Sequence, residues 1–153
     1  MKYRLIAVGK MREPSVAQAA ADFRARFGRY EDYDEIEVAP GHGSDAGRAV
    51  REEGERILAT LRPGDVLWVL ERGGSSLSSV ELSARLRELA DAGTHRIVFA
   101  IAGAYGASDA LLARADFAWS LSPLTFLHEW ARAIVLEQLY RAAKIARNEP
   151  YHH

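Results

Sequence analysis

The sequence predicts an α/β fold in which a parallel sheet carries helices on both faces. Three observations predict it. Apolar strands and amphipathic helices alternate along the chain. Two strands, residues 66–70 (VLWVL) and 97–102 (IVFAIA), are unbroken apolar runs, the mark of strands buried on both sides. Glycine-bearing turns, ERGGSS and GAYGAS, follow those two strands before the next helix begins.

Each element follows from its own pattern. Residues 3–8 (YRLIAV) make a short strand ending at Gly9. Val16, Ala19, Ala20, Phe23, Phe27 and Tyr30 recur at helical spacing over residues 14–30, with Pro14 suited to the first turn. A brief strand at 36–39 follows the acidic stretch YEDYDEIE, which reads as a solvated turn and strand edge. The loop PGHGSDAG leads to a helix with a stripe of Val50, Ile57, Leu58 and Leu61, weakened by Gly54. After RPGD and the strand 66–70, the stretch ERGGSSLS reads as a loop. The next helix runs through Val80, Leu82, Leu86 and Leu89 to Gly93. Strand 97–102, a short helix at 108–115 and the strand FAWSL come next, and the loop SPLTF opens the longest helix, which runs to about Arg147. No repeat or linker interrupts the pattern, so residues 1–153 read as a single domain.

Composition narrows the function classes. With 48% hydrophobic and 27% charged residues, the 153-residue chain has an ordinary globular mix. No apolar run approaches the ~20 residues of a membrane span, and the first residues lack a signal-peptide core, so a cytoplasmic protein without a membrane partner is expected. The absence of cysteine removes disulfides, thiolate nucleophiles and cysteine zinc sites. His42, His95, His128, His152 and His153 show no metal-binding spacing, so no metal is expected. The formal net charge of -1 restricts any nucleic-acid contact to a local patch.

Ligands of open α/β sheets bind beyond the carboxyl ends of the strands. The turns after three consecutive strands are unusual there: ERGGSS, GAYGAS and SLSPLT can be tight turns only, or can bring backbone close to a ligand. Neither G-x-G-x-x-G nor G-x-x-x-x-G-K-[ST] occurs, which argues against dinucleotide and triphosphate chemistry. No G-x-S-x-G elbow is present. In the last helix, Trp130, Leu136 and Tyr140 lie off the main apolar stripe of Ala131, Ile134, Val135, Leu139 and Ala142, which suggests a partner helix and hence a homodimer. The ending ARNEPYHH can be a tag remnant, a frayed tail or a working part. Asn148 and Pro150 are where a helix should stop.

The C-terminal third, SLSPLTFLHEWARAIVLEQLYRAAKIARNEPYHH, resembles the closing signature of the ribosomal RNA large subunit methyltransferase H family: S-L-S-x-x-T-x-x-H, an E-Q-L-Y-R-A helix and a final P-Y-H. The resemblance spans the chain, with an AVGK strand at the start, a strand ending Leu-Glu before the SS turn, and a glycine turn after strand 97–102. It implies a SPOUT methyltransferase with a C-terminal trefoil knot, working as a homodimer. The implied reaction moves methyl from S-adenosyl-L-methionine to N3 of a pseudouridine in 23S rRNA in the assembled ribosome.

By the same resemblance, Leu70, Gly103, Ser122, Pro123, Leu124, Thr125, Phe126 and Leu127 are expected to bind the cofactor. His128, Arg141, Tyr151 and His152 are the candidate catalytic residues. His128 can be a general base or simply cap the helix, and Arg141 can hold a developing oxyanion or merely pair with Glu137. The tail then becomes the native end of the pattern rather than a tag. The chain departs from the family at Ala102, where glycine is usual, and at Leu127, where proline is usual. The alternative reading is a non-catalytic dimeric ribosome-binding module of the same fold.

Overall fold

The computed structural model describes residues 1–42 and 45–150. Its strands are β1 (Lys2–Val8), β2 (Tyr33–Val38), β3 (Val66–Ser76), β4 (Arg96–Ile101) and β5 (Phe117–Ser120). The helices between and after them are α1 (Pro14–Phe27), α2 (Ala46–Leu58), α3 (Ser79–Asp91), α4 (Asp109–Arg114) and α5 (His128–Ala146). All strand pairs are parallel, in the order β2-β1-β4-β3-β5.

Successive side chains on a strand point to opposite faces, and here both faces are covered. Leu5, Ala7, Trp68, Ile97 and Phe99 meet Phe27 of α1, Leu82 and Leu86 of α3, and Val135 and Leu139 of α5. Ile6, Val8, Leu67, Val69, Val98 and Ala100 meet Ile57 of α2 and Leu111 of α4. The expected α/β sheet with helices on both faces is therefore the observed one. At the start of β4 the buried Arg96 makes a two-pronged ion pair with Asp65, 2.8 Å from Nε to Oδ1 and 2.5 Å from Nη2 to Oδ2.

Several local expectations are corrected. The stretch ERGGSS is not a loop, because β3 continues to Ser76. Its ladder with β5 breaks between Leu70 and Ser75, both of which pair with Trp119, and the intervening residues bulge toward the carboxyl edge. Of the expected stripe of α2, Ile57 is fully buried and Leu58 and Leu61 pack partly buried against the core, while Ala49, Glu53 and Gly54 are buried as well. Gly54 is a point of helix contact: a Cβ there would lie 2.1 Å from Ser108 Oγ at the N-cap of α4. The acidic stretch is not merely solvated either. Asp34 receives a two-pronged bond from Arg4, 2.6 Å on each side, while Glu35 pairs with Arg24 and Glu37 with Arg132.

The longest correction concerns α5. Leu136 is fully buried with Ala133 against Val16 and Ala20 of α1. Tyr140 packs on Phe23 and Tyr30, with ring centroids 6.3 and 5.8 Å apart. The second apolar face of α5 thus seats α1 of the same chain, and of the three residues Trp130, Leu136 and Tyr140 only Trp130 stays exposed, at 47%. The helix ends where the sequence says it should. Asn148 takes φ +54°, and the amides of Asn148 and Glu149 donate back to Ile145 and Lys144, a Schellman cap with asparagine in the left-handed position.

Candidate active site

At the carboxyl edge, the ends of β3, β4 and β5 and the first turn of α5 enclose a cavity of about 440 Å³. That volume suits a small organic ligand. Leu70 and Arg72 enter from β3, Ala102 and Gly103 from the end of β4, Trp119 from β5, and His128 and Ala131 from α5. The loop after β5 closes the remaining side, and its shape is fixed by short bonds. Ser120 Oγ donates to the carbonyls of Arg72 (2.9 Å) and Ser122 (3.2 Å), and Ser122 Oγ accepts from the amide of Leu124 at 3.0 Å. Arg72 Nη1 donates to Thr125 Oγ1 at 3.2 Å, tying the β3 bulge to the loop.

Behind the cavity, Gly103 packs directly on Glu53 of α2. A Cβ on Gly103 would stand 2.4 Å from Glu53 Oε2, so the backbone comes this close only because the residue is glycine. The other oxygen of Glu53 accepts from the amide of Gly41 at 2.9 Å. The β4 turn, the loop after β2 and α2 are thereby fastened to one another.

Six of the expected cofactor residues, Leu70, Gly103, Ser122, Leu124, Thr125 and Phe126, line the cavity. Pro123 and Leu127 do not line it, although both lie in the same loop. Leu127 is 75% exposed and occupies the N-cap position of α5 without a side-chain cap bond. Its φ of −57° falls in the range a proline ring imposes, so replacing the family's proline leaves this stretch of backbone as proline would set it. Ala102 likewise keeps a negative φ.

His128, the first residue of α5, lines the cavity, and its Nε2 is buried without a hydrogen-bond partner. Arg141 is not brought to the cavity. It lies thirteen residues further along α5, a rise of about 20 Å, and bonds Glu137 Oε1 from Nε at 2.9 Å and Nη2 at 2.5 Å. Tyr151 and His152 lie outside the described residues. Arg132 is fully buried: it donates to the Gly9 carbonyl at 3.2 Å, to Glu37 at 2.8 Å and to Glu35 at 3.4 Å.

Sequence reasoning missed Trp119 and Ala131 as cavity walls. The signal available for Trp119 was its place at the carboxyl end of the last strand, where the topology rule puts ligands. It also missed Glu129, whose Oε2 accepts from the amides of Arg12 (2.9 Å) and Glu13 (3.0 Å). The Glu13 amide, and then that of Arg12, hold this carboxyl below the usual carboxylate range against the opposing effect of burial, so it stays ionised. Among the described residues no group of three or more His, Asp or Glu is placed to hold a metal, and no helix is long and apolar enough to cross a membrane.

A parallel sheet with a cavity of mixed polar and apolar lining at its carboxyl edge, walled by the loop that precedes the last helix, agrees with the outcome of comparison with known proteins. The family model described as "Predicted SPOUT methyltransferase" matches residues 1–152, and the chain belongs to that family of methyltransferases. Its relatives carry a more particular name. "Ribosomal RNA large subunit methyltransferase H" of Pelobacter propionicus is 42% identical over 153 residues, covering all of both chains. The protein of that name from Trichlorobacter lovleyi is 41% identical over 155 residues, again covering all of both. The one from Gloeobacter violaceus is 38% identical over 156 residues, covering all of this chain and 99% of its own. The resemblance carried by the closing signature thus extends over the whole chain.

Proposed function

We propose that this protein is a ribosomal RNA methyltransferase that uses S-adenosyl-L-methionine to methylate N3 of a pseudouridine in 23S rRNA on the assembled ribosome. The observation that carries the reading is the cavity at the carboxyl edge, in a chain alike over its full length to proteins named large subunit methyltransferase H. The residues present fit the cofactor. Leu70 and Leu124 offer apolar surfaces for the faces of an adenine, the close-packed backbone at Gly103 and the loop 122–127 offer polar groups for its edges, and neither a phosphate cradle nor a metal is called for.

When bound, S-adenosyl-L-methionine supplies an electrophilic methyl group. The protein must supply orientation and a destination for the N3 proton, because the lone pair of N3 attacks only once that proton leaves. His128, which lines the cavity and whose Nε2 has no hydrogen-bond partner, is our candidate to accept it once the side chain turns toward the bound base.

The reading includes a homodimer with a shared site. Tyr105, Leu124, Phe126 and Leu127 of the cavity's loops and Trp130 of the adjoining helix turn account for five of the six exposed large apolar side chains among the described residues. Such a patch calls for a cover. The nineteen residues of α5 carry the chain about 28 Å away from His128, and three residues beyond Pro150 reach only about 11 Å. Arg141, Tyr151 and His152 can therefore serve a cavity only in a second copy of the chain. Sedimentation at the mass of one 16.9 kDa chain at micromolar concentration would contradict this.

The trefoil knot belongs to the same reading. What supports it is the match to the SPOUT methyltransferase family model over residues 1–152. We take residues 1–153 as one such domain, acting in the cytoplasm where ribosomes are. The test is incubation of ribosomes from a methylation-deficient strain with the protein and methyl-labelled cofactor. Label is expected in the large-subunit RNA; cofactor binding without transfer would favour the ribosome-binding module.

A further inference from the structure

We infer that the loop after β1 is an RNA grip, in which Lys10 and Arg12 hold a phosphodiester of the substrate beside the cavity. The inference rests on the rRNA methyltransferase reading and adds where the RNA is held. Parallel pairing of β1 with β4 sets Ala7 level with Ile101. The chain therefore leaves β1 at Gly9 on the same carboxyl edge where β4 ends and Gly103 lines the cavity. The loop that follows is fixed by its backbone. Arg132 donates to the Gly9 carbonyl at 3.2 Å, and Glu129 accepts from the amides of Arg12 and Glu13 at 2.9 and 3.0 Å. Both anchors sit in the turn of α5 that begins with His128, so the loop and the cavity wall are one rigid piece.

While that backbone is held, the side chains of Lys10 and Arg12 are exposed and have no hydrogen-bond or ion-pair partner among the described residues. The nearby carboxylates form no ion pair with them. Glu129 is occupied by the two amides, Glu37 by Arg132, and Glu13 accepts from Ser15 Oγ at 3.0 Å. Also at the cavity, in the bulge of β3, stands the exposed Arg72, with no carboxylate partner among the described residues. Two cations on a preorganised loop suit a polyanionic strand, since little ordering is left to be done on binding. In a protein of net charge -1 they also make the attraction local to the site.

The test compares wild type, the double variant Lys10→Gln/Arg12→Gln and the charge-preserving Lys10→Arg/Arg12→Lys. It measures ribosome co-sedimentation, methyl transfer over a salt series, and the thermal shift with S-adenosyl-L-methionine. The glutamine variant is expected to weaken ribosome binding and raise KM for ribosomes about tenfold or more. The slope of log(kcat/KM) against log salt should become shallower by about 0.7, from one lost single-strand phosphate contact. Its kcat and cofactor shift should stay at the wild-type level, and the charge-preserving variant should behave as wild type. Equal ribosome binding by wild type and the glutamine variant would overturn the inference, as would loss of its cofactor shift. Wild-type protein that binds ribosomes but transfers no methyl would instead overturn the methyltransferase reading, with the binding comparison still deciding the grip.

Discussion

His128 and Asp65 show how differently two titratable residues serve the same fold. His128 lines the cavity and its buried Nε2 has no partner, so on the general-base reading His128→Ala should lower methyl transfer by about 10²–10⁴-fold, the usual contribution of a general base, while the thermal shift with cofactor persists. Loss of both together would show that the side chain builds the pocket rather than acting in it. Asp65 is structural. Burial raises its carboxyl pKa, but the bonds from Arg96 and from the Arg62 amide outweigh burial and leave it below the usual value. A lowered folded pKa stabilises the protein fully above the unfolded value of about 4, and that stability is lost as pH falls through the folded value. Asp65→Asn should therefore cost about 3 kcal/mol at neutral pH, by leaving Arg96 buried without a counter-charge. It should also flatten the acid limb of stability below about pH 4, which denaturant titrations across pH will show. The candidate site residues of the loops were legible because their motif is local in sequence. Arg132 was not, since its partners Glu35 and Glu37 stand on β2, far away in the chain.

At the scale of elements, α5 does the most. It walls the cavity with its first turn, fills the core beneath the sheet, and seats α1 on a second face. Periodicity revealed its length and its main stripe but could not say that α1 covers Leu136 and Tyr140, because a second apolar face looks the same whether its cover comes from this chain or another. The β3 extension was hidden for a different reason: a glycine- and serine-rich stretch has weak strand propensity, and only pairing with β5 makes it extended. Gly54 gives the sharpest test at this scale. In an isolated helix, Gly→Ala would help by about 1 kcal/mol. Here the new Cβ would meet Ser108 Oγ at 2.1 Å, so Gly54→Ala should destabilise by about 1–3 kcal/mol. An increase in melting temperature would show that α2 and α4 are not held as described.

For the whole molecule, the parallel sheet and its two helical layers were readable from unbroken apolar strands alternating with helices, because burial on both faces imposes that pattern directly. The path of the chain after β5 was not, since periodicity carries no information on threading. Ligand linkage gives a global test of the cavity: S-adenosyl-L-methionine at 100 times its dissociation constant should stabilise the fold by about 2.7 kcal/mol. Deleting Tyr151 to His153 should leave that shift intact, because the end of α5 is held independently. Arg147 bonds the Tyr30 carbonyl at 3.0 Å and Glu31 at 2.9 Å, and Tyr30 OH donates to Glu149 at 2.9 Å. Transfer should nevertheless be abolished, and a truncated protein that still methylates would remove the tail from the site. The most direct measurement is mass mapping of 23S rRNA after methylation-deficient ribosomes have reacted with the protein and S-adenosyl-L-methionine. The account predicts the mass of one added methyl on a single pseudouridine, at N3. Unmodified 23S rRNA, from protein shown in the same experiment to bind the cofactor, would contradict it.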